Sequence, residues 1–176
     1  MNFNKTLIAT TLLAIASASA FAAPKNSTVM LNISAEVPDP GFNFFVKGMK
    51  PTDILKLDYN KDKKRFSERY LKLGFEGIAD TTNDLKATLT KSTLQNGTTG
   101  HTFDLLVSVV NNFAGKGKVE PLVGAPKTVV AATADAPDEY QMLELKIAQP
   151  DEADMRDKLT IGEYSGVVQV VFEAGV

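Results

Sequence analysis

Apolar and polar residues alternate with a period of two along much of this chain, the pattern of half-buried β-strands. The first run sets Val29, Leu31, Ile33, Ala35 and Val37 on one face, with Met30, Asn32, Ser34 and Glu36 between them. Leu55, Leu57 and Tyr59 repeat the alternation, as do Leu71, Leu73 and Phe75, then Leu85, Ala87 and Leu89. Phe103, Leu105, Val107 and Val109 predict a strong strand, and Leu143, Leu145 and Ile147 another. The last run, Tyr164 to Phe172, is rich in valine and has Gly162 and Gly166 near its start. Turn formers separate the runs: Pro38-Asp39-Pro40-Gly41, Asn60 to Lys64, Asn96-Gly97 and Gly115 to Lys118. This spacing predicts an all-β, antiparallel sandwich. No segment sustains a 3.6-residue apolar period; Asp151 to Leu159 reads equally as a helical turn or a polar loop.

The segment before the first run reads as an address. Lys5 supplies a positive start, Leu7 to Ile15 a short apolar core, and Ala20-Phe21-Ala22 a small-residue cleavage site. The apolar core is shorter than the roughly 20 residues that span a bilayer. Residues 1–22 are therefore expected to be a signal peptide, 23–37 an N-terminal extension and 38–176 the sandwich body. Pro38, Pro40 and Gly41 form a hinge between extension and body, so the first strand need not pack on its own body. Phe42, Phe44 and Phe45 follow at once and are expected to anchor the first body strand in the core.

Composition removes whole classes of chemistry. The chain of 176 residues has no Cys and one His, which excludes disulfides, thiolate metal sites and Cys nucleophiles. A formal net charge of −2 speaks against nucleic acid as a partner. His101, after the polar loop Asn96 to Gly100, reads as a surface residue. Asp151, Glu152, Asp154 and Asp157 lack the spacing of a Ca²⁺ loop. Lys61, Lys63, Lys64 and Arg65 read as a solvated hairpin tip, and the N-x-[ST] matches at Asn26, Asn32 and Asn96 as incidental. No glycine-rich phosphate cradle is present. No enzyme activity and no cofactor are expected.

Two stretches carry a resemblance to a known family. Lys25-Asn26-Ser27-Thr28-Val29, with its alternating continuation and following proline, resembles the start of the class 5 (alpha) fimbrial major pilins of the colonisation factor antigen I type. Gly162-Glu163-Tyr164-Ser165-Gly166-Val167-Val168 is similar to that family's closing strand, and Leu55 to Tyr59 and the Phe66 strand fall in similar order. The resemblance implies an immunoglobulin-like sandwich that lacks one strand and is completed by a donor strand. It implies a periplasmic chaperone and an outer-membrane usher as partners, neighbouring copies of the chain in a homopolymer, and a tip adhesin at the fibre end. The product would be a fimbria on the cell surface, reached through the periplasm. Val29, Leu31, Ile33, Ala35 and Val37 would be the donor residues that enter the groove left by the missing strand, and Tyr164, Gly166, Val168 and Val170 would belong to the closing strand. Two rivals from other classes stand beside this reading: a monomeric secreted or periplasmic β-sandwich that binds a glycan or small ligand, and a secreted hydrolase that uses carboxylates.

Overall fold

The computed structural model describes residues 30–34, 42–50, 52–77, 81–115, 117–150 and 159–174. In chain order its strands are β1 (Met30–Ser34), β2 (Phe42–Val46), β3 (Tyr59–Asn60), β4 (Arg65–Phe66), β5 (Arg69–Gly77), β6 (Leu85–Lys91) and β7 (Thr93–Asn96). Then come β8 (Thr102–Asp104), β9 (Leu106–Asn111), β10 (Lys118–Pro121), β11 (Lys127–Val130), β12 (Leu143–Ala148) and β13 (Tyr164–Ala174). One short helix, α1 (Ala136–Gln141), precedes β12; Pro137 in its first turn and Asp138 and Glu139 there suit a helix start.

The strands form two facing sheets. One runs β10-β9-β12-β5-β2. The other runs β11-β6-β13-β7-β8, with β1 added to β13. β6 and β7 follow one another along one edge of β13, antiparallel to it, over Gln169–Ala174 and Tyr164–Gly166. The fold is therefore the all-β sandwich that the alternation predicts.

Alternation explains which side of each strand is buried. Leu71 and Leu73 of β5, Val107 and Val109 of β9, and Leu143, Leu145 and Ile147 of β12 face the interior. Leu85 and Ala87 of β6, Leu94 of β7 and Val168, Val170 and Phe172 of β13 meet them from the opposite sheet. Phe44 of β2 bridges the layers, 4.7 Å from the Phe172 ring and 5.3 Å from Phe75. As expected, it anchors the first body strand; its neighbour Phe45 lies across the sheet from Gly74 and stays partly exposed.

The structure departs from the pattern in places. Leu55 and Leu57 are buried, yet only Tyr59–Asn60 is a strand there, in a two-stranded hairpin with Arg65–Phe66. The tip of that hairpin is closed by Asn60, whose Oδ1 accepts the Lys63 N–H at 2.9 Å. β7, β10, β11 and α1 lie where no element was expected, and the single strand expected over Phe103–Val109 is two, β8 and β9, in different sheets. Among the described residues, no helix is long and apolar enough to cross a membrane.

Candidate functional site

The two lateral sides of the sandwich are finished differently. On the β10 side the backbone laces the sheets together: Leu122 donates to the Val107 carbonyl (2.8 Å) and Leu89 donates to the Val123 carbonyl (3.1 Å). On the other side β2 and β13 flank an apolar cleft of about 50 Å³. Phe44, Val46, Leu73, Leu145, Val170 and Phe172 line it, with Phe45 at its rim. The cleft is a gap in the core rather than a polar binding site.

β13 borders this cleft, and its start is fixed by a polar corner. The Tyr164 hydroxyl donates to the Thr160 carbonyl (3.2 Å) and accepts the Thr160 N–H (3.1 Å). A tyrosine that returns to the backbone just upstream at a sandwich corner is a feature of immunoglobulin-like folds. The Tyr164 ring packs edge-on against Phe66 and Phe103. Asn96, fully buried, holds the facing loop. Its Oδ1 accepts the Thr98 and Thr99 N–H groups at 2.9 Å, and its Nδ2 donates to Thr160 Oγ1 at 3.3 Å. Gly162 has a φ of +150°, and a Cβ there would strike the Asn96 amide. Glycine is therefore required at that bend.

From this corner β13 runs with Tyr164, Val168, Val170 and Phe172 inward. Gly166 lies among them, opposite Leu94, where a Cβ would collide with the Thr93 carbonyl oxygen. β7 thus passes too close for any side chain at this position.

The edge of β13 away from β6 and β7 carries β1. The pairing is parallel: Met30 with Ser165, Leu31 with Gly166, Asn32 with Val167, Ile33 with Val168 and Ser34 with Gln169. All other ladders among the described strands are antiparallel. Leu31 and Ile33 thus stand in register with positions of β13 that face the core. Val29, Ala35, Val37 and the hinge residues Pro38, Pro40 and Gly41 lie outside the described residues.

Sheet edges attract foreign strands unless charge, proline or brevity blunts them. β10 carries Lys118, Glu120 and Pro121; β11 carries Lys127; β8 has three residues and includes Asp104. β13 has no charged residue from Tyr164 to Phe172. It is a long edge built to be covered.

The remaining candidates gather no site. His101 is half-buried rather than on the surface, and its Nδ1 has no hydrogen-bond partner among the described residues. Lys61, Asp62, Lys63 and Lys64 are exposed, as a solvated hairpin tip should be. Asn96 is too buried to accept a glycan. The acidic stretch 151–158 lies outside the described residues. Among the described residues no three His, Asp or Glu side chains cluster as a metal site. On the outer face, Lys146 is held above its ordinary pKa, chiefly by its hydrogen bond to Glu68; the ammonium also lies over the Tyr70 ring. Sequence reasoning missed Asn96 as the keystone of the corner; its only local signal was the Asn-Gly-Thr-Thr turn.

No curated protein sequence matches the chain. A family model described as CS1 type fimbrial major subunit matches residues 27–173, from ahead of β1 to near the end of β13. The chain therefore belongs to the CS1 type fimbrial major subunits, structural pilins that assemble with copies of themselves into cell-surface fimbriae.

Proposed function

We propose that this pilin polymerises without covalent bonds by donor-strand exchange. The segment 23–37 of one subunit adds as a strand to the β13 edge of its neighbour, and the body 38–176 receives the segment of the next. The observation that carries this reading is the β1–β13 ladder. Met30–Ser34 of the N-terminal segment pairs with Ser165–Gln169 of β13, which supports a seat for such a segment on that edge, and β13 carries no charge from Tyr164 to Phe172. The apolar cleft beside that edge supports it too: a donor strand supplies backbone partners and apolar side chains together.

The energetics are adequate. Alternate donor side chains enter such a groove, here Val29, Leu31, Ile33, Ala35 and Val37. Burying a Val, Leu or Ile is worth roughly 1.5–3 kcal/mol, so four give about 6–12 kcal/mol before ordering costs. A typical small domain has a total stability of about 5–15 kcal/mol. The donor therefore decides whether the acceptor is stable. A shift of one residue would present Met30, Asn32, Ser34 and Glu36 instead, three of them polar, so the register is strongly specified.

In this reading residues 1–22 are a signal peptide removed on export. A periplasmic chaperone covers the β13 edge before assembly, an outer-membrane usher catalyses the exchange, and a tip adhesin ends the fibre. The subunit is structural and performs no catalysis.

Leu31→Asp tests the mechanism, since a carboxylate placed in an apolar groove is strongly disfavoured. The variant should fail as a donor while its own β13 still accepts. Mixed with wild type, it should shorten fibres in proportion to its share, as read by electron microscopy and by ladders in unheated SDS gels. Fibres of wild-type number and length would refute the donor assignment.

A further inference from the structure

We infer that a subunit free of any chaperone caps itself: β1 docks on the β13 edge of its own chain, and this self-capped monomer is a resting state that cannot accept a neighbour. The inference rests on the donor-strand reading, because it gives the same segment a second, competing seat.

Three observations carry it. The first is the ladder itself, which lies within one chain and runs parallel over Met30–Ser34. The second is reach. Residues 35–41 connect the end of β1, on one sheet, to the start of β2, on the other. Facing sheets lie about 10 Å apart, and an extended chain covers roughly 3.3–3.6 Å per residue, so seven residues can span roughly 25 Å and the tether is long enough. A short tether gives its strand an effective concentration in the millimolar range. The third is the uncharged β13 edge, which soluble proteins rarely leave open. A self-docked β1 answers all three. It protects the edge from wrong partners, and it must leave before a neighbour's strand can add.

The parallel direction makes a sharp test possible, and the absence of Cys leaves the background clean. Self-capping sets Ser34 opposite Gln169. An antiparallel strand centred on the same Asn32–Val167 pair would set Ser34 opposite Ser165 instead. Adjacent strands lie about 4.8 Å apart, within disulfide reach, whereas a four-residue offset along a strand is about 13 Å and beyond it. The full exported chain would be purified as monomer from periplasm in two forms, Ser34→Cys with Gln169→Cys and Ser34→Cys with Ser165→Cys. Each would be oxidised across a hundredfold range of protein concentration.

The first form should close an intramolecular disulfide at a rate independent of concentration, and the second should not. The oxidised first form should elongate fibres at least tenfold more slowly than the same protein after reduction. Bonds that form only between chains, with rates that rise with concentration, would overturn self-capping and leave donor-strand exchange standing. So would closure of the Ser34–Ser165 pair alone. A locked monomer that polymerises as fast as the reduced one would overturn both readings. Should the substitutions prevent folding, amide exchange on the wild-type monomer serves: slow exchange of alternate amides within residues 31–34, those that point at β13, is expected at concentrations too low for polymer. Unprotected amides there would overturn the inference.

Discussion

Gly166→Ala adds one methyl group, and the structure says it has nowhere to go. The new Cβ would lie closer than 3.0 Å to the Thr93 carbonyl oxygen and 2.8 Å from Leu94 Cδ2, separations that real Cβ atoms avoid. Neither neighbour can yield easily. Thr93 and Leu94 belong to β7, paired on its far side to Asp104 and Phe103 of β8, and Leu94 is fully buried. Overpacking of this kind costs typically 1–3 kcal/mol. For a chain of this size each kcal/mol lowers Tm by about 2–4 °C, so a fall of roughly 2–12 °C is expected in a calorimetric melt. Gly124→Ala is the matched control: a Cβ there meets nothing within 4 Å, and its φ lies outside the left-handed region. That change should be neutral, or stabilising by about 0.4–1 kcal/mol through the unfolded chain. A Gly166→Ala protein that melts within a degree of wild type would refute the argument that β7 crowds β13.

Two further outcomes follow from the corner and from the outer face. Tyr164→Phe keeps both ring contacts but removes the hydroxyl shared with Thr160; a loss of about 1–2 kcal/mol is expected from urea unfolding, and an unchanged midpoint would mean that the corner is ornamental. Lys146→Gln removes a cation whose folded pKa is raised by Glu68, so the wild-type advantage is full below the ordinary lysine pKa of about 10.4 and disappears as pH climbs through the raised one. With the pair partly exposed, the advantage near pH 7 should be small, about 0–1 kcal/mol; a difference in melting temperature that does not shrink as the lysine is titrated to its neutral form would contradict the assignment.

Alternation reports burial more faithfully than it reports backbone pairing. β5, β6, β9, β12 and β13 were legible because each buries alternate residues against the facing sheet. The same signal at Leu55 and Leu57 marks two buried side chains on a backbone that joins no sheet. β10 was illegible because an edge strand with Lys118, Glu120 and Pro121 replaces the apolar rhythm with blunting residues. α1 buries only Ala136 and Tyr140, four apart, which is too little to set a helical period. The corner depends on Asn96 and Thr160, partners 64 residues apart, and no local pattern joins them. β13 was visible both as a valine-rich alternation and through the family resemblance, but the parallel seat of β1 was not. Alternation specifies which side of a strand is apolar and leaves open whose edge it covers, and in which direction.

Self-capping and polymerisation draw on the same edge, so their balance sets a requirement on the donor strand. A tethered β1 competes at an effective concentration near 1 mM. Free subunits at about 1 µM are a thousandfold more dilute, and each tenfold corresponds to about 1.4 kcal/mol. Exchange between subunits must therefore be stronger than self-capping by about 4 kcal/mol, or be helped by an assembly factor. Among the described residues the self-docked ladder spans Met30–Ser34 and includes two of the alternate apolar positions, Leu31 and Ile33. A donor that seated Val29 and Val37 beyond what the cap seats would gain about 3–6 kcal/mol from those two side chains alone. Parallel pairing is slightly weaker per residue than antiparallel, so a donor that added in the antiparallel direction would gain again over the parallel cap. Direction and apolar length are thus the two levers by which exchange can outweigh self-capping.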